Sequence, residues 1–566
     1  MPATTERGAA VNWILVWAAL FAVVALVGSL LITHPSLSLF YLRAQDRWLI
    51  VAGAAALYLT AFRLRERTSA FDPSWKLALV IGTVMAAGSF AGHFLVLQGY
   101  DLSRDEQMAT FDAAIFAKGQ LTAPLHAPWQ EFGKALNTAF MYPAEHRMAW
   151  ASNYLPVNAA FRAALGAVAT PALTGPAMAF VGAIALWGCI RRIWPESREP
   201  AAVGLLLYLG SGQIWLNSMS SYAMPAHLTL NLCWLWLFLR RRWWADSAAL
   251  GVGLLAVGLH QPHYHPIFAA PILFLLVLER DWRRVSLYLI GYAAIMLFWR
   301  GWTSAIASLV VGDVDIAISA GPNYLVGLYN NLTRIDGLRF SYMFANIIRQ
   351  VAWEHLLLVP LMVLGVKAAY RDRFAVALMA GIALTLIVRF VILPFQGHGI
   401  GYRYTHGLIG SFILLAVYGW QAIGNRKGFW RTWLLRTTAA SCIMILSLQA
   451  AMTHAFYSAF SRVSARISAT GADYAVLGHD DAVYAADLVN NDPYLSNRPV
   501  RLIRALLSPP LQTRICADRP TLVLIGSSAL RPIADYFGVP VSAKADIENQ
   551  VIGAELSRRG CRVSYL

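Results

Sequence analysis

Residues 99–120 read GYDLSRDEQMATFDAAIFAKGQ and directly follow an apolar run of spanning length at 77–97. Ser103, Arg104, Asp105 and Glu106 form a Ser-x-x-Glu capping box, which predicts a helix from about Arg104 to Lys118, stopped by Gly119. Asp105 and Asp112, seven residues apart, share a face, and Met108, Phe111 and Ile115 make an apolar stripe beside them. This pattern predicts a helix lying in a membrane interface, with carboxylates at a level where an idle charge is expensive. A capped surface helix with solvated acids accounts for the same letters, so the rest of the chain must decide.

The chain of 566 residues is 58% hydrophobic and 13% charged, with a mean hydropathy of +0.52. Those values exclude an ordinary soluble enzyme and describe a mainly α, polytopic membrane helix bundle. The net charge of +16 does not point to nucleic acid, because the basic residues fall in short clusters between apolar runs. Arg63, Arg65 and Arg67 are one cluster; others are Arg191 and Arg192, Arg240 to Arg242, Arg280 with Arg283 and Arg284, Lys367 with Arg371 and Arg373, and Arg426 with Lys427 and Arg431. All of them fit one cytoplasmic face, with the N-terminus on it. Counting apolar segments gives about thirteen spans, and an odd number places the C-terminus outside. The expected location is the bacterial inner (plasma) membrane.

The long polar intervals then fall on the external side. A first loop covers about 99–170, where Trp129, Tyr142, Trp150 and Tyr154 suit an interface bed, and a second covers about 303–354. Residues 1–460 form the membrane domain, and 461–566 a small external α/β domain with strands at 474–477, 500–503, 521–525 and 563–566. Helical stretches are expected at 482–490 and 529–537. The turn at 522–530 could cradle an anion, but it lacks the glycines of a Rossmann or P-loop fingerprint. Cys189, Cys233 and Cys442 sit in apolar runs, whereas Cys516 and Cys561 lie in the tail, where an external compartment permits a disulfide.

Three constellations could carry chemistry. Residues 396–407, QGHGIGYRYTHG, combine four glycines with His398, Tyr402, Arg403 and His406; glycine lets backbone approach a ligand, and the Arg403 fork matches a phosphate. Arg389 lies within the preceding apolar run, which demands a partner or a polar cavity; a snorkelling arginine is the bland alternative. His260, His263 and His265 in HQPHYHP are read as hydrogen-bonding a substrate in preference to binding zinc, since Pro262 interrupts them and no carboxylate follows. Asp313 and Asp315 could join Asp105 around a divalent cation, Mg or Mn, although a solvated turn is the preferred reading. No cofactor is otherwise indicated.

Taken together, Asp105-Glu106 just after a span, an amphipathic first loop, many spans and an external C-terminal domain resemble the GT-C superfamily of membrane glycosyltransferases. That superfamily includes protein O-mannosyltransferases, lipid A aminoarabinose transferases and oligosaccharyltransferases. The resemblance covers the whole chain as architecture, and only the Asp-Glu pair matches a motif; two extra spans precede the motif-bearing loop. It implies a polyprenyl-phosphate-linked sugar donor, a lipid, glycan or protein acceptor, and an acid of the first external loop acting at the acceptor. That role falls to Asp105, with Glu106 as the alternative and Asp112 nearby. Arg403, with Arg389 or His398, would hold the donor phosphate, and one displacement would invert the anomeric centre. The rival readings are a lipid-linked glycan transporter or flippase, against which no inverted repeat is found, and an O-antigen ligase or polymerase type.

Overall fold

The computed structural model describes residues 2–137, 139–142, 146–312, 332–333, 336–424 and 427–566, with side chains from residue 10 onward. Asp313, Asp315 and Arg426 lie outside the described residues. The fold is mainly helical, and six helices among the described residues are long and apolar enough to cross a membrane: Ala10–Leu31, Lys76–Leu95, Pro171–Ile193, Trp282–Val311, Arg373–Ile392 and Gly428–Ser468. Shorter apolar helices include Tyr264–Leu278 and Leu358–Ala369. The chain divides into two compact units that cut across the expected sequence blocks. The first unit comprises 1–92, 173–298 and 319–452; the second comprises 93–172, 299–318 and 453–566.

In the first unit, small residues set the closest helix approach. The Leu358–Ala369 and Ile409–Ala422 helices cross where a Cβ on Gly419 would meet the Leu361 carbonyl oxygen at 1.8 Å, and one on Gly365 would meet Gly419 N at 2.5 Å. Glycines at such a crossing let backbones touch where dispersion, not the hydrophobic effect, drives association. The core around them is large and aromatic, with Trp234, Trp420 and Trp433 fully buried. The same unit buries a charge pair that the sequence does not announce. Arg349 Nη1 meets both oxygens of Asp46 at 2.9 and 3.0 Å, Trp353 Nε1 donates to Asp46 Oδ1 at 2.8 Å, and the guanidinium lies 4.1 Å from the Tyr41 ring centre.

The second unit joins the tail to the Asp105 segment. Two short strands, β1 (Ala123–Pro124) and β2 (Ala149–Trp150), pair antiparallel. Four more, β3 (Tyr474–Leu477), β4 (Val500–Ile503), β5 (Thr521–Leu524) and β6 (Arg562–Tyr565), form a parallel sheet in the order β4-β3-β5-β6. Helix Ser527–Phe537 follows β5 as expected, and Pro509–Cys516 and Lys544–Arg558 are additional helices. The helix expected at 482–490 is only a short 3₁₀ turn, Ala485–Leu488. Tyr484 in the left-handed region (φ 59°) interrupts it, and the Asp481 carboxylate is spent on Gly478 N and Arg504 instead of a cap. Cys516 and Cys561 are bonded, with Cα atoms 4.8 Å apart.

The helix expected at 104–118 runs Arg104–Ala117, with the full capping box at Ser103 and Glu106 and Gly119 at φ +70°. Its setting differs from the expectation. Met108, Phe111 and Ile115 are 1%, 4% and 0% exposed and pack with Trp129, Trp150, Leu502, Leu511 and Leu524 in one core. The stripe is therefore covered by protein and does not lie on an interface. Trp150, expected in an interface bed, meets Phe111 edge-on and donates Nε1–H to the Pro493 carbonyl at 2.7 Å.

Candidate functional site

Two adjacent carboxylates at the start of the acidic helix receive different treatment from the fold. Glu106, at N3 of the capping box, is fully enclosed: Ser103 N and Oγ donate to Oε2 at 3.1 and 3.2 Å, and Tyr457 OH lies 3.0 Å from both oxygens. Burial, with the Asp101 charge adding to it, pushes its proton affinity up. Asp105, one position earlier, is half-buried and accepts from Tyr154 OH, whose ring stacks on Phe140 at 5.3 Å. Asp112 is buried and takes the Ser152 N–H at 3.0 Å and the Ser152 hydroxyl; burial pushes it up to about 6. Asp112 thus ties the helix to the 149–154 strand segment. Of the three acids, Asp105 alone combines a fixed rotamer with exposed surface.

In the first unit the structure gathers Arg389, His263, Arg403 and their aromatic neighbours. Arg389 is 2% exposed and sandwiched by Tyr264 and Tyr404, with ring centres 4.5 and 4.3 Å from its guanidinium carbon. Its Nη2 donates to His263 Nε2 at 2.8 Å, which fixes His263 as the neutral tautomer, and its Nε has no partner among the described residues. A cavity of about 20 Å³ beside it is lined by Arg389, Arg403, His227, Asn231, Tyr264 and Tyr404. That is room for about one water, so a larger anion enters only if a side chain moves. His227, whose Nε2 also lacks a partner among the described residues, was not singled out by the sequence; its signal is a lone histidine in the apolar Met224–Phe238 helix.

The other expected ligands turn elsewhere. His265 is buried, donating from Nδ1 to Asn231 Oδ1 at 2.8 Å and accepting from Tyr292 OH at 2.7 Å, so both ring nitrogens are used inside the protein. His260 lies near Tyr264, with ring centres 6.4 Å apart. The 396–407 segment is stitched to the bundle by its backbone: Gln213 bonds Tyr402 N and O at 3.1 and 3.0 Å and approaches His406 Nδ1 at 3.5 Å. Asn217 donates to the Ile400 carbonyl at 3.0 Å, and Arg349 to the Gly401 and Gly399 carbonyls, each at 2.9 Å. His398 and Tyr402 are buried within it. Two of the four glycines make room for protein: a Cβ on Gly399 would strike Arg403 Cδ at 2.9 Å, and Gly401, at φ +64°, would strike Gln213. Arg403 Nη2 donates to the Gln396 carbonyl at 2.6 Å.

Among the described residues no three His, Cys, Asp or Glu side chains gather as a metal ion would need. The N-terminus of the Ser527–Phe537 helix cradles no external anion, because Asp546 accepts from Ser527 N at 2.8 Å and from the Ser527 hydroxyl. No family model matches the chain, and no curated protein matches it. Among solved structures, ArnT from Cupriavidus metallidurans in the apo state is similar with a TM-score of 0.42 and 13% identity, over 83% of this chain and 88% of that one. The same protein bound to undecaprenyl phosphate gives a TM-score of 0.44 and 14% identity, over 85% and 89%.

Proposed function

We propose that the chain is an inverting membrane glycosyltransferase that moves a sugar from a polyprenyl-phosphate donor to an acceptor hydroxyl, with Asp105 as general base. The observation that carries this reading is the contrast between neighbours: Glu106 is enclosed and saturated by Ser103 and Tyr457, while Asp105 is held by Tyr154 and keeps exposed surface. A base must reach the proton it takes, so Asp105 fits and Glu106 serves the cap. The acceptor oxygen attacks the anomeric carbon as its proton passes to Asp105, and the sugar–phosphate bond breaks with its electron pair leaving on the phosphate. That leaving group needs little protonation; it needs cations. Arg389, buried with Nε unpaired, and Arg403 are assigned to the lipid phosphate of the donor. The basic clusters assign the external face to Asp105 and Arg403, and the N-terminus to the cytoplasm, in a bundle of about thirteen spans.

The test is transfer of labelled sugar from a polyprenyl-phosphate donor by purified variants, with thermal melting alongside. Asp105→Asn should lower turnover by about 10²- to 10⁴-fold while melting near the wild type. Glu106→Gln, which can still close the capping box, should retain activity. Wild-type turnover in Asp105→Asn would remove the base from this position.

A further inference from the structure

Among the described residues the second unit buries five arginines, Arg104, Arg147, Arg162, Arg501 and Arg504, and Arg104, Arg501 and Arg504 are well supplied with acceptors. Arg104 pairs with Asp487 at 3.2 Å and donates to the Val489 carbonyl at 2.7 Å. Arg501 donates to the Leu488 and Ser464 carbonyls at 2.8 and 3.1 Å and to Ser468 Oγ at 3.0 Å. Arg504 reaches Asp481 and Asn549, each at 2.8 Å. Arg162 is different. It is 4% exposed, and among the described residues its Nε has no hydrogen-bond partner and no ion pair closes on it. A buried guanidinium nitrogen without an acceptor is costly to keep, and Arg104, Arg501 and Arg504 show the same unit supplying acceptors to a buried arginine.

Arg162 belongs to the Val157–Val168 helix, which packs along the acidic helix and buries Val157, Asn158, Ala159 and Arg162 on one face. The acids whose charge reaches it are Asp101 and Glu106. Glu106 cannot close on it, because its oxygens already serve Ser103 and Tyr457. The guanidinium is left with an Nε–H donor that nothing among the described residues takes up, and Nε with a terminal nitrogen is a pair of donors that an oxyanion matches with two parallel bonds.

We infer that Arg162 is an anion-binding residue of the acidic-helix site and that its ligand is a phosphate group of a substrate. Naming the ligand rests on the transferase reading; the unpartnered Nε does not. The phosphate belongs either to the lipid donor or to an anionic acceptor. Full-length protein carrying Arg389→Gln and Arg403→Gln, which silences the first unit's arginines, is titrated in micelles with inorganic phosphate and with farnesyl phosphate against sodium chloride of equal ionic strength, and melting is followed. Both phosphates should raise the melting temperature, and adding Arg162→Gln should weaken the apparent affinity at least about 10-fold, with Arg162→Lys intermediate because a point charge replaces the fork. Tighter binding of farnesyl phosphate than of inorganic phosphate, lost with Arg162, identifies the donor; equal binding identifies an anionic group on the acceptor. Phosphate stabilisation that survives both substitutions overturns the assignment. Should the glutamine variant not fold, undiminished affinity in Arg162→Lys overturns it equally, since a merely structural cation is satisfied by lysine. No transfer is read in this titration, so failure of the catalytic reading and failure of the anion site are separate results.

Discussion

Asp112 shows what burial does to one carboxyl. Ser152 donates to it from N and Oγ, which favours the charged form, yet burial outweighs both bonds and lifts it from 3.8 to about 6. A raised carboxyl means the folded protein holds the proton more tightly than the unfolded chain. Its contribution is therefore fully favourable below about pH 4 and is lost as pH rises through about 6, a loss of about 3 kcal/mol for two pK units. Wild-type melting should fall relative to Asp112→Asn across that window and run parallel to it above; curves parallel throughout would mean the burial is not felt. At the cap, Ser103→Ala should cost about 1 kcal/mol, read as a lowered melting temperature. The capping box was legible because its partners lie three residues apart. Tyr154, Ser152 and Tyr457 were not, because they reach the helix from 40 to 351 positions away, and helical spacing carries no information on such partners.

Among the elements, the 396–407 segment was legible as special, but the part its glycines play was legible only in part. Four glycines and Arg403 suggested a cradle for ligand, whereas Gly399 and Gly401 accommodate Arg403 and Gln213, and the backbone is held by Arg349, Gln213 and Asn217. Nothing local announces this, since the holders come from two other helices, Gly212–Met219 and Gly337–Ala352. Asp46 did leave a trace: one acid between Arg43 and Arg47 in an apolar stretch. Arg349→Met should destabilise by about 3 to 5 kcal/mol, because it leaves the buried Asp46 without its counter-charge and with the Trp353 N–H as its remaining donor from this cluster. Pairing it with Asp46→Leu should recover most of that loss, and a double variant no better than the single would mean the bonds to Gly399 and Gly401 outweigh the ion pair. Gly401→Ala should also lower the melting temperature, by strain at φ +64° and by the clash with Gln213.

For the whole molecule, the parallel strands of the tail and the helix after β5 were readable from short apolar runs set between turn residues, as was the pairing of the two tail cysteines. Replacing both with alanine should remove about 4 kcal/mol for a loop of 45 residues, and dithiothreitol should lower the melting temperature of the wild type by a similar amount and leave the variant unmoved. What the letters did not convey is that residues 93–172 share a unit with 453–566. The core that covers Met108, Phe111 and Ile115 is completed by Leu502, Leu511 and Leu524, so about half of the polypeptide must be synthesised between the two halves of one hydrophobic cluster. At about 5 to 20 residues per second the ribosome takes roughly 15 to 60 s to cross the gap of roughly 280 residues. For that interval the newborn acidic helix waits with its oily side uncovered, which makes it a natural client for a holding chaperone and makes premature termination near Met452 a source of aggregates instead of a smaller folded protein.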